Sequence, residues 1–243
     1  MCGRIAQYRD ARDYAQALTL TSPVFLFDPA DRRPGFNLAP GAHPLAILPD
    51  QTIRTIRWGY RPAWAAEQHL PQAINARSDS AASSGYFREM WRHGRVIVPL
   101  DGWFEWRTES GRSQPYFVYP RSREPIFAAG LSSVVDANDH LPGDGVVLVT
   151  VAAAGSVVDT HGHQPLCFDA HAALQWLDRG LRDDAVQELV RSRGQDAWKS
   201  GSASAAVVSA SASTSASMLD WHRVSQNVNR ATFDEATLIE TID

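Results

Sequence analysis

The chain has 243 residues, of which 44% are hydrophobic and 21% are charged. This is ordinary globular composition, and it excludes a disordered or fibrous protein. The net charge of −4 excludes the strongly basic balance of a chain that binds nucleic acid over its whole surface.

Hydrophobic periodicity predicts helices inserted among many short strands. Apolar spacing and end signals predict helices over 13–20, 83–94, 169–180 and 182–194. Alternation or short apolar runs between turn residues predict strands over 52–60, 95–108, 115–120, 126–135 and 145–153. Because the helices do not alternate one for one with the strands, the predicted fold class is α+β.

One domain is expected over residues 2–243. The run 200–217 contains almost only Ser and Ala, and we expect it to form a flexible connection over the surface. Residues 221–230 return to ordinary composition, so this C-terminal part is expected to pack onto the same domain.

The N-terminal and apolar segments predict a cytosolic protein that does not associate with a membrane. No positively charged start is followed by an apolar run, as in a secretory signal. The most apolar stretch, 146–158, is too short and too interrupted to span a bilayer. The two cysteines, Cys2 and Cys167, do not make a disulfide framework, so a reducing compartment is expected.

The residue behind the initiator methionine, Cys2, carries distinctive chemistry if Met1 is removed. Removal is expected because the second residue is small, and Cys2 then has an α-amine of pKa ~8 and a thiol of pKa ~8.5. Such an aminothiol condenses with an aldehyde, since the amine forms a Schiff base and the thiol closes a five-membered thiazolidine. The alternative is a small buried residue, which position alone favours.

Four further polar residues could take part in such chemistry. Asn75 and Arg77 would point to the same side of an extended segment. Glu105 lies between two aromatic residues, an apolar setting that can raise the pKa of a carboxyl toward a general acid or base role. His161 could shuttle protons. The structural alternatives are an exposed strand carboxylate at 105 and an ordinary loop histidine at 161.

Six short motifs occur in one order along the chain: MCGR, N-x-A-P, W-G-x-x-P-x-W, N-A-R, G-[WF]-[FY]-E-W and H-x-x-x-P. In this order and at these distances the sequence resembles the SRAP family (SOS-response-associated peptidase fold, abasic-site processing proteins), from Cys2 to about Asn229. The resemblance implies a single α+β domain with a curved, mostly antiparallel, barrel-like sheet and peripheral helices. It also implies binding of single-stranded DNA and capture of abasic sites.

The resemblance assigns chemical roles to four residues. Cys2 would attack the C1′ aldehyde of the ring-opened abasic sugar and end as a thiazolidine. Asn75 would orient the cysteine amine, and Glu105 would move protons during sugar opening and imine formation. His161 would assist acid–base steps and reversal of the cross-link. No cofactor and no metal is expected.

The resemblance further implies two phosphate contacts, two residues lining the DNA channel and two stacking surfaces. In that order these are Arg4 and Arg77, Asn37 and Pro40, and Trp64 and Trp103. Stacking of an unpaired base on an aromatic ring contributes roughly 1–3 kcal/mol without sequence preference. A local groove can therefore bind single-stranded DNA although the chain is acidic. A monomer is expected, since one chain suffices to form such a groove.

The chain departs from the family pattern after His161. The family more often has an acidic residue and then arginine, whereas Gly162, His163 and Gln164 follow here. A DNA contact normally made by that arginine is therefore not expected from the same residue type.

Three other functions fit parts of the sequence. An N-terminal-nucleophile amidohydrolase would use the free amine as the base for its own thiol and attack an amide. That class predicts a glutamine-binding arginine motif and an Asn-Gly oxyanion element, and neither is present. A zinc module could use His161, His163 and Cys167, but a fourth ligand with sensible spacing is missing. A non-covalent module that shields lesions would differ only in the reaction of Cys2.

Overall fold

A computed structural model describes residues 2–134, 142–152, 162–196 and 219–242. Within these ranges the chain forms fourteen strands, five α-helices and three short 3-10 helices. The strands are β1 Ile5–Gln7, β2 Val24–Phe25, β3 Gly35–Leu38, β4 Leu45–Ile47, β5 Thr52–Thr55, β6 Asn75–Arg77, β7 Arg95–Leu100, β8 Gly102–Glu109, β9 Arg112–Pro120, β10 Ile126–Ser132, β11 Val146–Ala152, β12 His163–Pro165, β13 Cys167–Phe168 and β14 Leu219–Arg223. The α-helices are α1 Ala11–Ala17, α2 Ala63–Glu67, α3 Arg88–His93, α4 Ala170–Leu177 and α5 Asp183–Asp196, and the 3-10 helices are Pro29–Asp31, Gln226–Asn229 and Ala236–Ile239.

The strands are divided between two sheets. The five-stranded sheet has the order β14-β9-β8-β1-β3, and all its pairings are antiparallel. The nine-stranded sheet has the order β12-β11-β10-β7-β4-β5-β2, with β13 paired to β10 and β6 paired to β11. Its β6–β11 and β2–β5 pairings are parallel. The predicted α+β class with mostly antiparallel pairing is confirmed.

The core forms on both faces of each sheet because neighbouring residues of a strand point to opposite sides. On β7, Val98 packs between the two sheets and Ile97 packs toward α1, α3, α4 and α5. On β8, Trp103 packs between the sheets, whereas Phe104 packs on the outer face with the C-terminal segment. The layer between the sheets is the one that contains Cys2.

The chain crosses from one sheet to the other at Asp101, between β7 and β8. Its side chain is fully buried and accepts hydrogen bonds from the backbone N–H groups of Tyr8 and Arg9 at 2.7 and 3.2 Å. It also accepts from Arg9 Nε at 2.7 Å and from the hydroxyl of Tyr14. Burial and the charge of Asp101 together raise the pKa of the Tyr14 hydroxyl well above its usual range. A buried carboxylate is tolerated here because four donors surround it.

The same corner aligns β8 with β1. The N–H of Asp101 donates to Ala6 O at 2.9 Å, and Trp103 pairs with Ile5 across the two strands. A Cβ at Gly102 would lie 2.5 Å from Val118 O, so only glycine permits this close approach to β9. The start of β8 is thereby held beside the N-terminal strand.

The predicted helices exist, and several of their ends differ. Helix α4 begins after Asp169, the expected N-cap, whose carboxylate accepts an N–H of the first turn at 2.8 Å. It ends at Leu177 rather than near Gly180, because Asp178 is extended and its carboxylate accepts the N–H of Gly180. Helix α5 continues past Gly194, so that predicted end is wrong. The short helix α2, which follows Pro62, was not predicted.

The predicted strands are confirmed in place, although β9 begins earlier than predicted, at Arg112, and β10 ends earlier, at Ser132. Two further differences are larger. The strand predicted over 52–60 ends at Thr55. Beyond it, Trp58 forms an isolated bridge to Val146 of β11, and Tyr60 forms one to Ala73, which lies before β6. The strand predicted over 95–108 is divided at Asp101, because β7 and β8 belong to different sheets.

No helix of the described ranges is long and apolar enough to cross a bilayer. The Ser/Ala run 200–217 lies outside the described residues. The expectation of one domain over 2–243 includes that run, and it stays a prediction.

Replacing Asp101 by Ala is expected to lower the free energy of unfolding by about 3–5 kcal/mol, because buried donors lose their acceptor. Urea unfolding followed by tryptophan fluorescence measures the change. The control is Asp184→Ala, which removes a carboxylate from an exposed ion pair with Arg182. That change is expected to cost less than about 1 kcal/mol. Equal, small losses of unfolding free energy in the two variants would contradict the role given to Asp101.

Candidate active site

Cys2 is held in the interior although it lies at the start of the chain. With Met1 attached it is fully buried, and it packs in the layer between the sheets with Trp103, Leu148 and Cys167. Chain termini usually fray unless contacts hold them. The contacts of Cys2 are therefore the first feature of the candidate site.

Two hydrogen bonds position Cys2. Asn75 Nδ2 donates to the backbone carbonyl of Cys2 at 2.9 Å, and the backbone N–H of Arg4 donates to its sulfur. Asn75 is the first residue of β6 and pairs with Leu148 of β11. Its Oδ1 is buried and has no hydrogen-bond partner among the described residues. The site thus contains an acceptor beside Cys2 that nothing in these ranges satisfies.

The thiol of Cys2 is strongly biased toward its neutral form. Burial raises its pKa well above the usual value, and the negative charge of Glu105 raises it further. The α-amino group of the chain and the N–H of Arg4 oppose this shift. A nearby proton acceptor is therefore needed before the sulfur can act as a thiolate.

Glu105 is the carboxyl whose charge raises the pKa of the Cys2 thiol. It lies on β8 and is buried, and it accepts a hydrogen bond from Trp103 Nε1 at 3.2 Å. Burial raises its pKa to about 7, although the α-amino group and the bond from Trp103 lower it. A carboxyl with this pKa can both accept and donate a proton at neutral pH.

Arg4 and Asn37 join the N-terminal segment to the C-terminal one. Arg4 Nη1 donates to Asn37 Oδ1 at 2.9 Å and to Val228 O at 2.8 Å. Asn37 Nδ2 donates to the carbonyls of Val228, Arg230 and Phe233 at 3.2, 3.2 and 2.8 Å. Both side chains are thus engaged in the fold. Pro40, between β3 and β4, is exposed.

Arg77 is the last residue of β6 and is exposed, whereas Ala76 before it is buried. Strand geometry therefore places Arg77 on the same side as Asn75, as expected. Its guanidinium pairs with Asp79 two residues on, through Nε at 3.2 Å and Nη2 at 2.5 Å. Asp79 raises the pKa of Arg77, and Arg77 lowers that of Asp79.

The two tryptophans expected to stack on DNA lie in different environments. Trp64, on α2, is 40% exposed and meets the ring of Tyr86 edge-on at a centroid distance of 5.0 Å. Trp103 is 3% exposed, so its ring offers no face for stacking in this structure, and it instead binds Glu105. Sequence reasoning missed Tyr86, because the segment around it was assigned only to a helix.

His161 lies outside the described residues, so its predicted role stays a prediction. Cys167 is buried in the core on β13, beside Ala128 of β10. That position favours a core residue over a ligand of the zinc module considered above. His163, the residue that replaces the usual arginine of the family pattern, lines a cleft together with Arg77.

Comparison with known protein families identifies the family of this chain. The family model described as SOS response associated peptidase (SRAP) matches residues 1–231. The chain belongs to the SRAP family. The resemblance carried by the six motifs is thereby confirmed.

Relatives with SRAP sequences are found in bacteria and animals. The chain is 34% identical to the abasic site processing protein YedK of Escherichia coli over 248 residues, which cover 100% of both proteins. It is 26% identical to the abasic site processing protein YoaM of Bacillus subtilis, over 78% of this chain and 85% of that protein. It is 29% identical to the abasic site processing protein HMCES of Gallus gallus, over 49% and 42% of the two chains.

Two solved structures share the SRAP fold of this chain. A phage-related protein from Bordetella bronchiseptica aligns with a TM-score of 0.70 and 26% identity, over 93% of this chain and 95% of that one. A protein from Bacteroides thetaiotaomicron aligns with a TM-score of 0.72 over 99% and 100% of the chains, at 15% identity. The second likeness concerns the fold alone.

Glu105 is expected to make stability depend on pH. Its pKa is about 7 in the folded chain against an ordinary 4.5, so the unfolded chain ionises it first as pH rises. The stability that the neutral carboxyl contributes is fully present below about pH 4.5 and is lost by about pH 7, a total of about 3 kcal/mol. Glu105→Gln removes this loss.

Urea unfolding of wild type and Glu105→Gln from pH 4.5 to 8 measures this pH-dependent loss of unfolding free energy. The variant is expected to gain about 3 kcal/mol relative to wild type over this interval. Glu124→Gln, at an exposed position, is the matched control and should parallel wild type. A difference between Glu105→Gln and wild type that is constant with pH would show that Glu105 ionises normally.

Proposed function

We propose that the chain captures abasic sites in single-stranded DNA by forming a covalent thiazolidine at Cys2 after Met1 has been removed. The observation that carries the proposal is that the Asn75 amide holds Cys2 and that the thiol of Cys2 is affected by the charge of a buried carboxyl, Glu105, whose pKa is about 7. The relatives named abasic site processing proteins support this choice of lesion. The role would be protection of the lesion during replication and the DNA damage response.

The reaction needs only the two groups of one residue. The α-amine of Cys2 adds to the C1′ aldehyde of the ring-opened sugar, and the carbinolamine loses one water to give a Schiff base. The sulfur then bonds to the same carbon, and the proton of the thiol passes to the nitrogen. The product is a five-membered ring, and the overall change is the loss of one water. An internal cysteine cannot react in this way because its nitrogen is an amide.

Glu105 is suited to move the protons of these steps. The carbinolamine needs a donor for its departing hydroxyl, and ring closure needs an acceptor for the thiol proton. With a pKa of about 7, Glu105 can perform both tasks in sequence near neutral pH. Its charge raises the pKa of the Cys2 thiol, so the sulfur loses its proton most easily when Glu105 takes it up.

Asn75 is suited to orient the amine. Its Nδ2 already fixes the backbone of Cys2, and its buried Oδ1 has no partner among the described residues. Once Met1 is removed, the new amine of Cys2 supplies N–H donors close to this acceptor. A hydrogen bond to Oδ1 would direct the nitrogen lone pair away from Asn75 and toward the aldehyde.

The surroundings of β6 offer a path for a single strand. Tyr86 packs against Trp64, and its hydroxyl donates a hydrogen bond to Pro71 O at 3.1 Å. This aromatic pair therefore lies near Pro71, in the segment that leads into β6. Arg77 lies at the other end, and Asn75 lies between them. A strand that stacks on Trp64 and binds a phosphate through Arg77 would therefore pass Cys2. One chain supplies the whole path, in keeping with a monomer.

Arg4 and Asn37 are proposed to support this path from within the fold. Their donors bind main-chain carbonyls near the C-terminal end, which fixes the segment leading to Cys2. Burial lowers the pKa of the Arg4 guanidinium. The exposed Pro40 remains proposed as a residue of the DNA channel, and His161 as an assistant in acid–base steps and in reversal of the cross-link.

An amidohydrolase with an N-terminal cysteine is the rival reaction. That mechanism needs the amine to take the thiol proton directly. The sequence lacks the Asn-Gly oxyanion element that such an enzyme needs, and the carboxyl of Glu105, with a pKa of about 7, can take the thiol proton in place of the amine. The peptidase activity in the family description would correspond here to removal of Met1, and we propose no other peptide substrate.

Cys2→Ala is expected to abolish the covalent product, because the sulfur that closes the ring is absent. Single-stranded DNA containing uracil is treated with uracil glycosylase, incubated with protein and analysed by denaturing electrophoresis after heating. Wild type is expected to give a heat-resistant shifted band. Cys167→Ala, at the other buried cysteine, is the matched control and should give the same band.

Mass spectrometry of the adduct completes this test. The expected mass is that of the chain without Met1 plus the DNA minus one water. A non-covalent shield would bind abasic DNA equally well with and without Cys2 and give no heat-resistant band. An identical band from Cys2→Ala, or a chain that reacts while retaining Met1, would rule out the proposed mechanism.

Asn75→Ala is expected to slow cross-link formation about 10- to 100-fold, because the amine loses its positioning contact. The reaction is run with DNA in excess over protein. Samples are quenched at fixed times, and the rate is measured in the electrophoresis assay. Asn75→Asp keeps an acceptor oxygen and should recover part of the rate. If both variants react as fast as wild type, Asn75 does not orient the amine.

A further inference from the structure

A cleft of about 560 Å³ opens where β6 and β11 end, between these strands and helix α5. Arg77 is the last residue of β6 and lines the cleft. It lies two residues, or about 7 Å, beyond Asn75, the residue that binds Cys2. A DNA strand that passes Cys2 and continues along β6 would therefore reach this cleft.

The lining of the cleft combines cationic, polar and apolar groups. Arg77 and Arg191 contribute guanidinium groups from a strand and a helix, and both are largely exposed. Gln187, one turn before Arg191 on α5, contributes an amide. Ala82 and Ala152 form the accessible part of an apolar wall, behind which Trp91 is buried. This combination suits a ligand that carries both an anionic group and a flat, partly apolar one.

We propose that this cleft binds the nucleotide adjoining the abasic site, with its phosphate at Arg77 and Arg191 and its base against the apolar wall. The proposal rests on the proposed function, because the strand is positioned by the reaction at Cys2. A phosphodiester presents the oxygens that guanidinium groups bind, and Gln187 can donate to or accept from any base edge. The site therefore holds the strand without selecting its sequence.

Both guanidinium groups of this subsite already have carboxylate partners. Glu188 pairs with Arg191 on α5. Asp79 lines the cleft, and its carboxylate occupies two donors of Arg77. A phosphate must share or displace this partner, which weakens its binding. Asp79→Asn removes the negative charge and is expected to raise affinity for DNA about two- to threefold, since an exposed pair of this kind contributes under about 1 kcal/mol.

The test compares Arg191→Ala with Arg182→Ala. Arg182 lies just before α5, is 83% exposed and does not line the cleft, so the control removes the same charge from the same region. The probes are labelled oligothymidylates with a tetrahydrofuran abasic analogue, which has no aldehyde. Nucleotides flank the analogue on both sides, only on its 5′ side, or only on its 3′ side. Dissociation constants are measured by fluorescence anisotropy at several salt concentrations.

Arg191→Ala is expected to weaken binding about three- to fivefold for the two-sided probe and for one of the one-sided probes. Affinity for the remaining probe should be unchanged. The slope of log K against log salt concentration should fall by about 0.7 for the affected probes, the value for one phosphate contact of a single strand. Arg182→Ala should leave all three probes unaffected.

The proposal is overturned if Arg191→Ala binds every probe as tightly as wild type, loses affinity equally for all three probes, or has the same affinities as Arg182→Ala. It is equally contradicted if Asp79→Asn gains no affinity. Failure of the capture mechanism is distinguishable, because it appears as the absence of the heat-resistant band in wild type. A wild-type band together with unchanged binding by Arg191→Ala would remove the subsite and leave the capture reaction intact.

Discussion

The buried carboxylate of Asp101 is the contact on which the site depends. It lies where the chain leaves the nine-stranded sheet for the five-stranded one, and it binds the backbone N–H groups of Tyr8 and Arg9 directly after β1. One acidic side chain therefore fixes the N-terminal strand against the start of β8. Cys2 precedes β1 and Glu105 follows the start of β8, so the same contact brings thiol and carboxyl into each other's electrostatic field. A neutral side chain could turn the chain, but it could not satisfy all these donors.

The groups at the centre of the site make the core less stable than an apolar one would be. Glu105 is buried without a cationic side chain among its hydrogen-bond partners, Asn75 Oδ1 has no partner in the described ranges, and the Cys2 thiol is desolvated. Each such group costs free energy when removed from water. Sites that carry out chemistry often retain such costs because the perturbed groups are the useful ones. The surrounding apolar layer between the two sheets offsets them.

The sequence singled out Cys2 and Glu105 from local features, a place beside the chain start and aromatic neighbours. The structure shows that both are buried and that the charge of Glu105 raises the pKa of the Cys2 thiol, whereas their chemical roles stay predictions. Arg4 and Asn37 were assigned to DNA, yet much of their hydrogen-bonding capacity is used by main-chain groups about 190 to 225 residues away. Trp103 was assigned to stacking by the family resemblance. A tryptophan in a sequence motif does not reveal whether its face of the sheet is covered. Such contacts depend on tertiary structure, and periodicity carries no information about them.

The same limit explains the differences in secondary structure. The run 95–108 was predicted as one strand, although Asp101-Gly102 within it is a turn signal. That signal does not show that the two halves belong to different sheets. The division at Asp101 follows from contacts with Tyr14 and the residues after β1. The ends of α4 and α5 differ for smaller reasons, because Asp178 ends one helix early and Gly194 is accommodated within the other. The α+β class was predictable because it depends only on how helices and strands are ordered.

The contact of Arg4 with Val228 O joins groups 224 residues apart, so it constrains how the protein is made. A ribosome adding about 5–20 residues per second releases the N-terminal residues on the order of ten to fifty seconds before their C-terminal partners. During that interval Asn37 and Arg4 have no carbonyls to bind, and β1 has β3 before it has β8. Under the proposed loss of Met1, the nascent chain presents an unburied aminothiol to every small aldehyde in the cell. Under the same proposal, the folding rate would determine what fraction of newly made molecules reaches DNA with Cys2 unreacted.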